Sequence, residues 1–317
     1  DSRSISMSNS VVANVSDLTA VFYNPAGLNN VNSFELGAMH SSYFAGIAEY
    51  DYIGFAIPVD SNFVLGMALI RFGIDDIMNT TQILDENGNI NYNNISTFSA
   101  SDFASIFSIA RKTNYNLNYG FSTKIIHRKI GPFASSWGFG LDLGFQYSFQ
   151  NWNIGLCLKD FTSTLNVWDI KENQFSNQYE NSGNTIPEDG IELTYPKVNF
   201  GISRQFILIK DISCLSEFNI STTWDGKRNT LISTNSVSLD PTLGLEFDYK
   251  KIGFLRFGFG NFQKEQLVDT IEEEVSFQPN FGIGINIWSL FIDYSLTDLG
   301  NTSSVLYSNV FTLKYKW

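Results

Sequence analysis

Apolar and polar residues alternate with a period of two over long stretches of this chain. The clearest stretch is 137–149, where every odd-numbered residue is apolar and every even-numbered residue is small or polar. Segments 237–249 and 275–287 show a similar alternation. Because successive side chains of a β-strand point to opposite faces, the pattern predicts strands with one apolar face and one polar face.

Weaker alternation in the rest of the chain raises the number of predicted strands to about fourteen. The other predicted strands lie near 34–44, 49–59, 62–74, 101–112, 117–131, 152–163, 197–208, 211–225, 251–262, 290–299 and 303–317. An even number of antiparallel strands is what single-chain bacterial outer-membrane barrels require.

The connections between these strands alternate in length. Short turns are predicted near residues 60, 114, 150, 209, 250 and 289, and long polar loops at 75–100, 164–196, 226–236 and 263–274. Short turns at one end and long loops at the other are typical of outer-membrane barrels. The sequence therefore predicts an all-β fold, a transmembrane antiparallel up-and-down β-barrel in the bacterial outer membrane, with the short turns on the periplasmic side.

Composition and charge fit this prediction. The chain has 28 Phe, 14 Tyr and 6 Trp but only 7 Pro, and each proline would remove a hydrogen-bond donor from a sheet. It has no run of about 20 apolar residues that would predict a membrane helix. The net charge of −12 comes largely from the long loops and disfavours nucleic acid as a partner.

Residues 1–33 do not follow the strand pattern and form the first predicted unit, ahead of a barrel over 34–317. A barrel of about fourteen strands encloses a lumen too wide for its own side chains to fill. We therefore predict that 1–33 fold inside the barrel as a plug, with Asn24, Pro25, Ala26, Gly27 and Leu28 supplying a tight bend. The alternative is a disordered periplasmic tail.

Motifs for catalysis are absent from the sequence, so we predict a non-enzymatic protein without a cofactor. The only histidines, His40 and His127, lie on different predicted strands, and a zinc site needs three or four ligands. Glycines at spacing two, such as Gly144 and Gly258, lie within strands and are predicted to face the lumen. Residues 85–89 resemble part of a calcium loop, but a hairpin turn is the simpler interpretation.

The N-terminal sequence resembles that of the PorV/PorQ family. The resemblance lies in Asp1–Met7, in Val11-Val12-Ala13 and in the run from Asp17 to Leu28, which ends in Asn-Pro-Ala-Gly-Leu. Members are outer-membrane barrels of Bacteroidota within the broader FadL-like group. Ser8 and Asn9 replace the family's usual glycine pair, which leaves the subfamily open.

The resemblance implies two alternative functions. PorV-like members serve type IX secretion and hold secreted or surface proteins at the outer face, whereas FadL-like members pass hydrophobic small molecules through the lumen. The clearest inward faces are polar, and the long acidic loops contain aromatic residues, which favours protein docking. However, strand 62–74 places Val64, Ile70 and Phe72 inward, which leaves room for an apolar lumen.

We therefore predict a barrel subunit of a type IX-like secretion or surface-attachment assembly. Its partners would be secretion-translocon or surface proteins, at the outer face or laterally in the membrane, within a lipid and lipopolysaccharide environment. The predicted docking residues are Trp168, Phe175, Tyr179, Tyr195, Glu272 and Glu273. The alternatives are a FadL-like passive transporter of hydrophobic compounds and a purely structural barrel.

Overall fold

The structure is a computed structural model that describes residues 1–85, 88–113, 115–174, 185, 187–266, 273–299 and 307–317, with the side chains of 265, 266, 273 and 274 left out. Its strands are β1 Glu35–Tyr43, β2 Ala48–Pro58, β3 Phe63–Asn79, β4 Ser96–Lys112, β5 Leu117–Ile130, β6 Ala134–Phe149, β7 Trp152–Lys159, β8 Thr164–Ile170, β9 Gly190–Thr194, β10 Lys197–Ile209, β11 Ile212–Thr223, β12 Ile232–Ser233, β13 Ser238–Tyr249, β14 Gly253–Gln266, β15 Glu273–Ile287, β16 Leu290–Thr297 and β17 Ser308–Lys316.

Helices are few and short. The α-helices are α1 Ser2–Ser6 and α2 Ala20–Tyr23, and 3-10 helices cover Pro25–Asn30, Phe44–Gly46, Tyr92–Asn94 and Glu172–Gln174. Within the described ranges, none of the helices has the length and apolar character needed to cross a bilayer.

The strands form one antiparallel sheet that closes on itself. β1 pairs with both β2 and β17, and Glu35 lies opposite Lys316 at the closure. β7 and β8 both pair with β6 and make one interrupted strand, β9 and β10 make another, and β12 is a two-residue piece beside β13. The result is a closed barrel of 14 strands, which confirms the predicted fold class.

The alternation seen in the sequence sorts side chains between the two faces of the wall. On β6, Trp137 and Phe139 are 61% and 52% exposed on the outer face, whereas Asp142 and Gln146 are buried on the inner face. A closed sheet satisfies all its backbone hydrogen bonds internally, so an apolar outer face can lie in lipid. The outer face of this barrel is the lipid-facing one.

Some element boundaries differ from prediction. The predicted loop 75–100 is shortened, because β3 continues to Asn79 and β4 begins at Ser96. Within it, Leu84 and Ile90 form an isolated antiparallel bridge. The predicted strand 152–163 stops at Lys159 and resumes at Thr164.

The hydrophobic core lies inside the barrel. Met7, Val11, Val15, Leu18 and Leu28 of the N-terminal segment (residues 1–33) are fully buried. They share one cluster with inward residues of β1–β4 and β17, namely Met39, Tyr52, Ala56, Val64, Ala68, Ile70, Ile106, Ala110 and Val310. This part of the lumen is therefore mainly apolar, as the inward Val64 and Ile70 of predicted strand 62–74 indicated, whereas the inward face of β6 is polar.

Candidate functional site

Asn24 connects the N-terminal segment to the barrel wall. Its Oδ1 accepts a hydrogen bond from the Ala26 N–H at 3.2 Å and thereby caps the 3-10 helix that begins at Pro25. Its Nδ2 donates to the Val12 carbonyl at 2.8 Å and to the Phe145 carbonyl of β6 at 3.2 Å. One buried amide thus orders the turn and joins it to β6.

The remaining predicted plug residues lie beside Asn24. Pro25, Ala26, Gly27 and Leu28 are all buried in the first turns of the 3-10 helix. Proline suits this position because an N–H at a helix start has no partner within the helix, so its absence costs no hydrogen bond. A Cβ at Gly27 would overlap the Val15 carbonyl, so only glycine permits this close approach of backbone to backbone.

Inward glycines of the wall form seats for the segment. A Cβ at Gly120 would overlap the Pro25 backbone, and one at Gly144 would overlap the Asn24 side chain. Gly155 and Gly258 give the same room to Val12 and to Ser8. Gly144 and Gly258 were predicted to face the lumen, but the sequence alone does not indicate which backbone approaches them.

A buried network of charges links the segment to four strands. Lys314 Nζ on β17 lies 2.7 Å from Asp17 Oδ2 and 3.1 Å from Asp1 Oδ2. Arg256 on β14 contacts Asp293 on β16 and Glu246 on β13, both at 2.6 Å. Arg3 closes the network on Glu246, at 2.8 Å. Buried charges persist when they are paired in this way.

Lys314 determines the ionisation of Asp17. Burial alone would raise the pKa of the Asp17 carboxyl, but the adjacent Lys314 ammonium outweighs burial and holds that pKa well below its usual range. Asp17 Oδ1 also accepts hydrogen bonds from the N–H and hydroxyl of Thr19, at 3.0 and 2.5 Å. Asp17 is therefore a carboxylate at neutral pH.

An aromatic cavity lies between the N-terminal segment and the first two strands. Its volume is about 130 Å³. Four tyrosines, one phenylalanine and one methionine supply most of the lining: Tyr23, Tyr43, Tyr50, Tyr52, Phe22 and Met39. Tyr52 is fixed by its hydroxyl, which donates to the Leu18 carbonyl at 3.3 Å. Its mainly apolar lining with a few polar groups resembles that of a small-molecule site, and its volume is below the roughly 300–1,000 Å³ usual for such sites.

A second cavity shares Phe22 and Tyr23 with the aromatic cavity and is more polar. It measures about 250 Å³ and includes Lys159, Lys197 and Asp240 in its lining. Lys159 Nζ lies 4.1 Å from the centroid of the Phe22 ring, a cation–π contact. This cavity therefore extends from the aromatic cavity to the end of β7.

The regular strand pairing of the wall is interrupted where β7 ends, although the Phe161 N–H still donates to the Leu141 carbonyl of β6 at 3.0 Å. β6 pairs Leu143 with Leu158 and then Phe139 with Leu165, so the second strand carries three extra residues at this point. We call residues 160–163 the wall interruption. On its inner side, Lys124 Nζ contacts Asp142 at 2.8 Å and Asp160 at 2.5 Å.

An apolar groove lies at the ends of β3, β4, β5, β6 and β8 that carry the predicted extracellular loops. Its volume is about 450 Å³, and its apolar lining consists of Met78, Phe98, Ile130, Phe133, Ala134, Trp168, Ile170 and Pro187. Phe98 and Phe133 pack edge to face with ring centroids 5.1 Å apart. Trp168 is oriented by its Nε1–H, which donates to Glu192 Oε2 at 2.9 Å.

The predicted docking residues are not brought together in the described part of the chain. Trp168 lines the groove, while Tyr195 is exposed between β9 and β10 and is absent from the groove lining. Phe175, Tyr179 and Glu272 lie outside the described residues, as does the side chain of Glu273. The docking role of these residues stays a prediction.

The two histidines lie on the outer face of the wall. His127 stacks on Trp137 with ring centroids 4.3 Å apart, and His40 pairs with Asp51. In the described ranges, no group of three or more His, Cys, Asp or Glu residues could hold a metal ion.

Comparisons with known proteins identify the fold. No family model and no curated protein matches the chain. Among solved structures, the monoaromatic hydrocarbon channel CymD matches with a TM-score of 0.63 at 12% identity, over 100% of this chain and 97% of that one. The Ralstonia pickettii toluene transporter TbuX matches with 0.60 at 14% identity, over 100% and 98%.

A FadL homologue of Pseudomonas aeruginosa also matches, with a TM-score of 0.58 at 11% identity over 100% of this chain and 98% of that one. Identities this low show a shared fold and no more. The shared fold is that of FadL-like barrels, and none of these matches supports the finer placement in the PorV/PorQ family. The protein is an outer-membrane β-barrel with the fold of the FadL-like channels.

Proposed function

We propose that the protein is a passive, non-enzymatic channel that carries small hydrophobic molecules across the outer membrane. The observation that carries the proposal is the aromatic cavity, which lies between the N-terminal segment and β1–β2. The proteins of similar fold that are named as a monoaromatic hydrocarbon channel and a toluene transporter support it. They favour this alternative over the secretion subunit that we predicted first.

The apolar groove would be the entry site. An aromatic molecule that buries roughly 200 Å² of its surface there gains about 5 kcal/mol from the hydrophobic effect, at ~25 cal/mol per Å². Much of this gain offsets the loss of freedom on binding, so the net affinity is weak. Weak binding suits a channel, because the molecule must leave the groove again.

The N-terminal segment would act as the plug that keeps the lumen closed to ions and water. The segment fills the barrel beneath the aromatic cavity, and its contacts with the inward glycines and with the charge network hold it there. A molecule in that cavity therefore needs either a movement of the segment or another exit.

The wall interruption offers such an exit. On the periplasmic side, the N-terminal segment borders a polar chamber of about 680 Å³, whose lining includes Arg3, Asn14, Gln146 and Lys251. An apolar molecule released there would be exposed to water, at a cost that grows with its area. Passage sideways at residues 160–163, which adjoin the second cavity at Lys159, would instead release it directly into the lipid around the barrel.

Uptake of radiolabelled toluene by cells producing the protein tests the proposal. Tyr50→Trp should fill the aromatic cavity and lower the uptake rate at least fivefold. Tyr147→Trp is the matched control, because Tyr147 lies on the outer face of β6 and is 41% exposed. Uptake no faster than in cells lacking the protein would contradict the proposal, as would equal rates for the two variants when both proteins are present at equal levels.

A further inference from the structure

Charged side chains occupy the outer face of β1, β2 and β3. His40 Nδ1 lies 2.7 Å from Asp51 Oδ1, and Arg71 Nη1 lies 3.2 Å from Glu49 and 3.3 Å from Asp51. Arg71 Nη2 is 3.7 Å from Asp75. We call these five residues the wall cluster. They alternate with buried inward residues along each strand and therefore point away from the lumen.

The wall cluster lies at membrane depth. On β3 the outward residues below Arg71 are Leu65, Met67 and Leu69, all apolar. Six residues at ~3.3 Å each on a strand tilted ~40° place Arg71 about 15 Å above Leu65. The apolar band of such barrels is about 25 Å tall, so the cluster falls in its outer half.

β6 gives the contrast within the same barrel. Its outward residues from Trp137 to Phe149 are apolar without interruption, which corresponds to about 30 Å along the barrel axis by the same measure. The apolar band therefore has its full height on β6 and is cut short on β1–β3. Contact with lipid alone would favour an apolar band of the same height on every strand, so it does not explain this difference.

Charge on the lipid face is unfavourable. An arginine at mid-membrane on the outside of a barrel costs about 2–4 kcal/mol, which ion pairing within the cluster reduces. However, three carboxylates (Glu49, Asp51 and Asp75) face one guanidinium and one imidazole, so at least one negative charge stays uncompensated even when His40 is protonated. This excess would repel anionic lipid headgroups and attract a cation.

An apolar recess lies directly beneath the cluster. The small side chain of Ala38 leaves a depression of about 530 Å³, bordered by Ile53 and Leu69 on one side and by Phe311 and Leu313 on the other. His40, Asp51 and Arg71 form its upper edge. The apolar recess and the negatively charged wall cluster are thus adjacent on one lipid-facing surface.

We propose that this surface docks a second membrane protein laterally. That partner would insert a bulky apolar side chain into the recess and place a lysine or arginine against Glu49, Asp51 and Asp75. The added cation would neutralise the excess charge, and the contact would exclude lipid from the cluster. This inference is independent of transport, because none of the five residues faces the lumen.

Site-specific photo-crosslinking in cells producing the full chain tests the proposal. A benzophenone amino acid at position Ile53, on the rim of the recess, should give one crosslinked product of discrete mass. Mass spectrometry should place the attached peptide in a membrane-embedded segment that contains a lysine or arginine. The same crosslinker at Phe139, on the full apolar band of β6, should give no such product.

Charge variants then distinguish docking from chance proximity. Asp51→Lys should lower the yield of the product at least fivefold, and exchanging the partner's basic residue for glutamate should restore it. Asp51→Asn with Glu49→Gln serves as a second variant that preserves shape, and it should lower the yield less. Products formed only with lipid or with a second copy of the chain, or a yield that none of the variants changes, would overturn the proposal.

Discussion

Lys314 on β17 and Asp17 in the N-terminal segment form a buried ion pair, with 2.7 Å between Nζ and Oδ2. The pair joins the last strand of the barrel to a residue near the start of the chain. Removal of the Lys314 ammonium alone leaves the Asp17 carboxylate without its cation in the lumen. Loss of one partner of a buried pair typically costs about 3–5 kcal/mol. We therefore expect the pair to hold the segment in place.

Lys314→Met should release the N-terminal segment and open the lumen. We expect a larger and noisier single-channel conductance in planar bilayers than for the unaltered protein, which should conduct little. Lys250→Met is the matched control, because Lys250 forms an exposed pair with Asp211 at 3.6 Å, outside the lumen. If both variants conduct like the unaltered barrel, the segment is not held by this pair.

The same pair predicts how closure depends on pH. The pKa of Asp17 is lowered in the folded barrel, so its contribution to stability is fully present above the unfolded value of about 3.9 and declines as the pH falls below it. Conductance should therefore stay low from pH 7 to pH 5 and rise below about pH 4.

Asp17→Asn separates this contribution from those of other carboxylates. The variant should already conduct at pH 7 and should show a smaller further rise on acidification. Bilayer recordings of both proteins at pH 7, 5 and 3 measure the difference. An identical acid response in the variant and the unaltered protein would assign the transition to other groups.

Gly120 supplies a test of the seats for the N-terminal segment. A Cβ at this position overlaps the backbone of Pro25, which cannot move without disturbing the Asn24 cap. Gly120→Ala should therefore displace the segment and increase proteolysis within residues 1–33 in detergent. Gly253→Ala is the control, because a Cβ at Gly253 meets nothing within 4 Å. Equal protection in both variants would contradict a tight seat.

Trp168 tests the groove as the entry site. Trp168→Ala should remove a large part of the apolar lining and lower toluene uptake about threefold at low concentration, with less effect at high concentration, where entry is no longer limiting. Trp137→Ala, on the outer face of the neighbouring β6, is the control. A loss of uptake that is the same at every toluene concentration would indicate a structural defect instead.

The barrel could be predicted from the sequence because period-two alternation directly encodes the two faces of a strand. The same logic predicted the lumen only in part. β6 and β13 show clean alternation and have polar inward faces, and they suggested a polar interior. The first half of β3, from Phe63 to Ile70, is apolar on both faces, and its inward Val64 and Ile70 pack against the N-terminal segment. A strand that is buried on one side and in lipid on the other shows no alternation of polarity.

The positions of the candidate sites were harder to predict from the sequence than the barrel was. The aromatic cavity combines Tyr23 of the segment with Tyr43, Tyr50 and Tyr52 of the first two strands, and nothing in their spacing shows that they converge. The wall cluster does have a sequence signal, since His40, Asp51 and Arg71 occupy positions that alternation assigns to the lipid face. Charged residues that interrupt an apolar outer face therefore say as much about the surroundings of that face as the apolar residues do.

Lys124 provides the last prediction, on the wall interruption. Its Nζ lies between the carboxylates of Asp142 and Asp160, so Lys124→Met would leave two negative charges together on the inner face of the wall. Their repulsion should loosen residues 160–163, and hydrogen exchange there should become at least tenfold faster while β13 stays protected. Lys112→Met, at the exposed end of β4, is the control. If the interruption is the exit, toluene uptake should change in the Lys124 variant alone; faster exchange with unchanged uptake would place the exit elsewhere.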